Sequence, residues 1–229
     1  MDNSLKGSLA LIASRITAGL NVNCTKFLLP LWITPIGYVT LRLLFGTAFF
    51  WLLAIIDKSP KTSTNDKVRL LLLGAIAVFG YMSLYAVGMS YTTPVNFAIF
   101  NATQPIWVFI ISVFLHNERV TTGKVCGILM GFAGVVAASL ATPVHDLATN
   151  RILGNGIALL SSLCYSIYLI CSSALLRRVG NLVMLRYTFL GATISALFVS
   201  IFTGFSAPMF ITHFNTTAII VFLFVLIFP

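Results

Sequence analysis

The chain has 229 residues, 59% of them hydrophobic and 8% charged, with a formal net charge of +9. A soluble domain carries about 25% charged residues, so there is too little polar surface to solvate a globule, and the fold class is all-α, a polytopic membrane protein. Nucleic acid is excluded as a partner because the Lys and Arg residues sit between apolar segments and form no patch.

Apolar segments long enough to cross a bilayer as helices run over 7–28, 35–56, 69–90, 94–115, 121–141, 153–175 and 182–203. An eighth begins near 217. Its roughly 13 residues fall short of a span, so the chain is expected to end inside a helix as a C-terminally truncated form. Arg15 lies mid-way along the first segment and no cleavage pattern follows, which sets it apart from a signal peptide. Cys24, Cys126, Cys164 and Cys171 all fall in apolar stretches without CxxC spacing, as buried small hydrophobes do. Lys6, Lys58, Lys61, Lys67, Arg69, Arg119, Lys124, Arg177 and Arg178 belong to connections on one side, and Arg151 alone to the other. The bias puts the N terminus in the cytoplasm of a bacterial-type inner membrane. Trp32 suits an interfacial anchor.

The chain contains an internal repeat. "VTLRLLFGTAFFWLL" from Val39 and "VMLRYTFLGATISALF" from Val183 share Leu-Arg-x-x-Phe, with Arg42 matching Arg186. Five spans separate the copies. Five is odd, so the second copy enters from the opposite side, and the repeat is inverted. Domains of 7–141 and 153–229 follow, the second incomplete.

Polar residues within the spans are the candidate site. At 100° per residue, Ser161, Tyr165, Tyr168 and Ser172 share an arc of roughly 60° on helix six. The repeat places Ser14, Ala18, Asn21 and Thr25 on the equivalent arc of helix one. Paired stripes suit a cavity wall lined from both halves, while helix–helix hydrogen bonding is the plainer alternative. Arg15 and Lys26 share another face of helix one, where pairing with helix-end carbonyls or lipid phosphate competes with a functional role. Asn96, Asn101 and Gln104 form a one-sided polar face on helix four, and Pro105 should kink it. Tyr81 and Tyr85 form a weaker candidate on helix three. Gly123, Gly127 and Gly131, with Gly134 beyond, offer a packing groove, intramolecular or at a homodimer face.

Asp2, Asp57, Asp66, Glu118 and Asp146 all lie in loops or at span ends, as do His116, His145 and His213. No proton relay, Walker A, HExxH or GxSxG motif is present. No enzyme activity, cofactor or metal is expected. A cavity bordered by cations without acids should prefer anionic groups.

"GLNVNCTK" (19–26) followed by "LRLLFG" (41–46) resembles the start of an EamA domain, and "MSYTTPVNFAIFNATQPIWVFIISVFLHNERVTTGKVCGILMGFAGVVAA" (89–138) resembles its end. "GNGIALLSSLCYSIYLICS" (154–172) resembles the opening of a second one. The resemblance implies the drug/metabolite transporter superfamily: ten helices, two inverted repeats, cytoplasmic termini, and alternating access for small metabolites. Ala18 departs from the aromatic residue usual before Gly19. Roughly the last two and a half helices are not present. The expected function is a secondary transporter, an exporter or permease of small polar or amphipathic metabolites, with the lipid bilayer and a small molecule as partners. Asn21 and Tyr168 would bond the substrate, Ser14, Thr25, Ser161, Tyr165 and Ser172 would line the wall, and Arg15 or Arg42 would attract anions. The alternative is a non-transporting remnant or helix-packing scaffold.

Overall fold

The computed structural model describes residues 3–29, 31–56, 62–116, 121–141, 149–211 and 215–227, and all their regular structure is helical. This is what an apolar solvent demands, since a helix satisfies its backbone amides within its own segment. The elements are α1 (Asn3–Leu28), α2 (Pro35–Ile56), α3 (Thr64–Leu73), a π turn (Gly74–Val78), α4 (Phe79–Tyr91), α5 (Pro94–Asn101), α6 (Gln104–His116), α7 (Thr122–Ala141), α8 (Arg151–Val179), α9 (Asn181–Thr203), α10 (Pro208–Ile211) and α11 (Thr216–Ile227). The third span is one continuous rod, Thr64–Tyr91, running through the π turn.

Among the described residues, five helical stretches are long and apolar enough to cross a membrane: Pro35–Ile56, Thr64–Tyr91, Pro94–Phe114, Arg151–Val179 and Asn181–Thr203. The apolar pattern predicts seven complete spans. The helix α1 has the length, at 26 residues, but its second half carries Asn21, Asn23 and Lys26. The apolar stretches Thr122–Ala138 in α7 and Thr216–Ile227 are shorter.

Local chemistry marks where helices begin. Thr93 precedes Pro94, and its hydroxyl accepts from the Asn96 amide. Thr34 precedes Pro35 and accepts from the Gly37 amide at 3.3 Å. Asn150 accepts from the Leu153 amide at 3.1 Å. Each side chain satisfies an amide that the first helical turn leaves free, and proline at the first position loses nothing there. The fourth span breaks between Asn101 and Gln104. Pro105 has no N–H for the Asn101 carbonyl. The break is held from α8, where Ser166 donates to the Gln104 carbonyl at 3.2 Å and Ser162 lies 3.0 Å from the Thr103 hydroxyl.

The helices α2 and α9 pack along each other, as do α4 and α8, and α1 lies against α11. Thr47 and Thr193 hydroxyls, 2.7 Å apart, and Thr40 and Ser200, 2.8 Å apart, join α2 to α9. The crossing of α3 and the π turn over α9 depends on glycine. A Cβ on Gly74 would strike the Thr188 carbonyl, and one on Gly191 the Leu71 carbonyl. Small residues let backbones approach this closely.

The two ends of the bundle are distinct. At one, the Thr34 amide donates to Ser206 O at 3.0 Å, the Met209 amide to Trp32 O at 3.2 Å, and the Asn150 amide to Tyr91 O at 3.2 Å. Lys26 closes the end of α4 here, its Nζ donating to the carbonyls of Met89 (2.9 Å) and Ser90 (3.3 Å). A cation at a helix C-terminus also meets the negative pole of the helix dipole. At the other end, Arg178 pairs with Asp66 at 3.3 Å.

Candidate functional site

A cavity of 590 Å³ lies mid-bundle between α1, α2, the third span, α5, α8, α9 and α11. That is the size range of small-molecule sites. Its polar wall is Asn21, Tyr38, Arg42, Tyr81, Tyr85, Asn101, Tyr165 and Tyr168, and its apolar wall includes Phe45, Phe49, Phe50, Val78, Met82, Leu185 and Phe189. Arg42 stands seven residues into α2, about 10 Å from its start. Phe189 stands eight residues into the antiparallel α9, about 12 Å from the opposite end. The cavity therefore sits at mid-depth.

Arg42 is the charged group of this wall. Its Nη1 donates to the Tyr38 hydroxyl at 2.8 Å, one helical turn back. Among the described residues no carboxylate pairs with it, and Asp66 is engaged by Arg178 at the bundle end. A cation without a counter-charge in this setting costs several kcal/mol of desolvation, of order 2–5, which an anionic occupant would offset.

A hydrogen-bond chain fixes the arginine's partner. The Tyr38 hydroxyl lies 3.0 Å from Thr25 Oγ1, and Thr25 donates onward to the Asn21 carbonyl at 2.8 Å. With that proton committed, Tyr38 accepts from Arg42 and donates to Thr25. Asn21 Nδ2 then reaches the Val225 carbonyl of α11 at 3.4 Å. Three helices thus hold one guanidinium. The aromatic wall is equally connected. Tyr81 and Tyr165 rings lie 4.7 Å apart, Tyr165 and Tyr168 6.0 Å, Tyr85 and Phe97 4.8 Å, and Phe50 and Phe189 5.0 Å. These are offset or edge contacts of the kind aromatic quadrupoles favour.

The residues expected from sequence divide into three groups. Asn21, Arg42, Asn101, Tyr165 and Tyr168 line the cavity, joined by Tyr81 and Tyr85. A second group stands behind the wall. Thr25 is fully buried in the hydrogen-bond chain. Ser161 is buried with its hydroxyl on the Tyr81 carbonyl at 3.2 Å, and Ser172 bonds its own helix at Leu169 O. Gln104 donates to Asn101 Oδ1 at 2.9 Å and so orients a wall residue. Asn96 is buried near the bundle end, facing Arg151 at 3.4 Å. The third group lies off the cavity: Ser14 is exposed on α1, and the side chain of Arg15 lies outside the described residues. Asn23 bonds the Gly19 carbonyl of its own helix. A Cβ on Gly123, Gly127 or Gly134 would meet nothing within 4 Å.

Tyr38 and the phenylalanines of α2 are wall residues that the polar stripes do not reveal. Their signal is their spacing from Arg42. Tyr38 precedes it by four, and Phe45, Phe49 and Phe50 follow by three, seven and eight, which puts them near one helix face.

The family model of the EamA-like transporter family matches residues 5–140. The chain is 25% identical over 197 residues to the uncharacterized transporter YyaM of Bacillus subtilis, covering 85% of this chain and 64% of that protein. It is 26% identical over 148 residues to the uncharacterized inner membrane transporter YhbE of Escherichia coli, covering 60% of this chain and 45% of that one. It is 26% identical over 134 residues to the thiamine-repressible mitochondrial transport protein THI74 of Saccharomyces cerevisiae, covering 53% and 36%. The chain thus spans between about a third and two thirds of the length of these relatives.

Proposed function

This chain belongs to the EamA-like transporter family, and on that premise we propose that it serves a multi-pass membrane transporter carrying small amphipathic anions, amino-acid carboxylates among them, through the Arg42 cavity. One observation carries the reading: a guanidinium on the wall of a mid-depth aromatic cavity, bonded to a tyrosine and, among the described residues, to no carboxylate. An ionisable group at this depth marks a substrate path. The substrate's anionic group takes the free N–H groups of Arg42. Its apolar body lies against Tyr81, Tyr165, Phe50 and Phe189. Asn21, Asn101 and Tyr168 bond its remaining polar atoms.

Movement follows from rocking of 7–141 against 153–229 as inverted repeats, alternately exposing the cavity. The helix pairing supports this. The repeat would map helix one on helix six and helix two on helix seven, and α2 packs along α9, the two helices that carry the repeated motif. The cation bias supports a cytoplasmic N terminus.

Flux of labelled amino acids and other small carboxylates in proteoliposomes tests the proposal. Replacing charge-assisted bonds costs roughly 1.5–3 kcal/mol, so Arg42→Gln should lower uptake or efflux about tenfold to a hundredfold at equal membrane abundance, and Arg42→Lys less. Undiminished flux in both Arg42→Gln and Tyr168→Ala would sink the assignment.

A further inference from the structure

The two arginines of the repeated Leu-Arg-x-x-Phe motif stand in different surroundings. Arg42 lines the cavity, and Arg186 does not. The Arg186 guanidinium lies 5.1 Å from the Trp51 ring centroid and 4.9 Å from that of Tyr187. Its Nε is buried and has no hydrogen-bond partner among the described residues. A second cation reaches the same tyrosine from another helix, with Lys67 Nζ 5.8 Å from the Tyr187 ring centroid. Two cations converge on one ring, and the carboxylate beside them in sequence, Asp66, is taken by Arg178 at 3.3 Å. A buried guanidinium N–H without an acceptor costs free energy, and like charges gathered at an aromatic ring call for an anion.

Depth identifies the anion. Arg186 stands five residues into α9 and Trp51 five before the end of α2, each about 8 Å from the helix end, and Lys67 stands three residues into α3. Helices of 22 and 23 residues overreach a hydrocarbon core of about 30 Å by only about 2 Å at each end, so Arg186 and Trp51 start about 6 Å inside it. The Arg186 side chain leans toward the start of α9 and snorkels to the phosphate and glycerol level, where Trp and Tyr gather. The site also opens sideways to acyl chains, for Trp51 is 41% exposed and the neighbouring Leu52 and Ile55 are 63% and 80% exposed. We infer that Arg186, Lys67, Trp51 and Tyr187 form a binding site for the phosphate of an anionic phospholipid in the leaflet at the cation-rich end. Arg186 donates to the phosphate through its Nη groups, which bond no acceptor among the described residues, while its Nε stays buried; Lys67 adds a point charge, and Trp51 and Tyr187 hold the guanidinium in place. The site serves stability and is independent of transport.

The 229-residue chain is reconstituted in nanodiscs of phosphatidylcholine alone or with phosphatidylglycerol. Retained lipid is counted by native mass spectrometry and unfolding is followed by temperature. Phosphatidylglycerol should remain bound and raise the unfolding temperature. Arg186→Gln and Lys67→Gln should each reduce retention by roughly fivefold, the weight of one surface-proximal cation. Arg177→Gln removes equal charge from an exposed position at the same end and should change retention little. Should Arg186→Gln fail to accumulate, Lys67→Gln alone decides. Inorganic phosphate added to the phosphatidylcholine discs separates the two sources of this chemistry. The inference is overturned if free phosphate reproduces the stabilisation, if Arg177→Gln loses as much lipid, or if Lys67→Gln loses none.

Discussion

A single methyl group on Gly191 tests how the bundle is held together. Its Cβ would overlap the Leu71 backbone carbonyl, and the reciprocal methyl on Gly74 would overlap that of Thr188. Neither obstacle is the tip of a side chain, so neither can rotate aside. Restoring ordinary contact requires α9 to part from the third span by roughly 1.3–1.5 Å, and a gap of that size forfeits about half or more of the dispersion energy along the seam. Overpacking of this kind costs about 3 kcal/mol, against which alanine's better helix propensity returns about 1 kcal/mol. The net of about 2 kcal/mol should lower the unfolding temperature by roughly 4–8 °C for a chain of this size. Scanning fluorimetry in a mild detergent measures it, with monodispersity after heating as a second readout. Gly127→Ala is the internal control, since its Cβ would meet nothing within 4 Å. There the propensity gain is unopposed, and the temperature should hold or rise. The reasoning fails if Gly191→Ala and Gly74→Ala unfold at or above the wild-type temperature, or if Gly127→Ala falls as far.

Tyr38→Phe removes the hydroxyl that accepts from Arg42 and donates to Thr25. Affinity for a carboxylate ligand should fall about tenfold, read by equilibrium binding, because the freed guanidinium loses its fixed geometry. Gly46→Ala would press a Cβ to 2.6 Å from the Phe189 ring, a movable side chain on the cavity wall. Binding should therefore suffer more than stability, and equal losses would count against the placement of Phe189. Lys26→Met leaves the Met89 and Ser90 carbonyls without their ammonium. The expected loss is about 1 kcal/mol, with faster hydrogen exchange at the end of α4. Arg178→Ala breaks an ion pair whose arginine is 62% exposed but whose Asp66 side chain is 9% exposed. The stranded, buried carboxylate should cost about 1 kcal/mol, read as a fall of roughly 2–4 °C in unfolding temperature, and no fall would show that solvent already screens the pair.

How far the sequence predicts the site depends on what kind of fact is asked of it. Hydropathy located the helices well, because burial of apolar length in lipid is a property of each segment alone. Even so, it marks the bilayer and not the helix. The apolar run of the third span begins at 69, while the helix begins at Thr64, where the first turn carries Asp66 near the positive pole. The same excess appears beyond 175, where α8 continues through Arg177 and Arg178 to Val179. The polar stripe of helix six was legible as a face and not as a surface. Ser161, Tyr165, Tyr168 and Ser172 do share one side of α8, yet only the tyrosines reach the cavity. A serine is short enough to disappear under the neighbouring α4, as Ser161 does on the Tyr81 carbonyl, whereas a tyrosine at the same angle must project. Where the neighbouring helix crosses is a tertiary fact that periodicity in one helix does not contain. Arg42 shows the converse. Its charge is plain in the sequence, but the residue that governs its direction, Tyr38, is one aromatic among many in its span, and only the bond from Thr25 of another helix distinguishes it. The stripe on helix one therefore has a different use from the one its angles suggest. Asn21 touches the cavity, while Thr25 supports the tyrosine that aims the arginine. A mutation at Thr25 should accordingly act through Arg42.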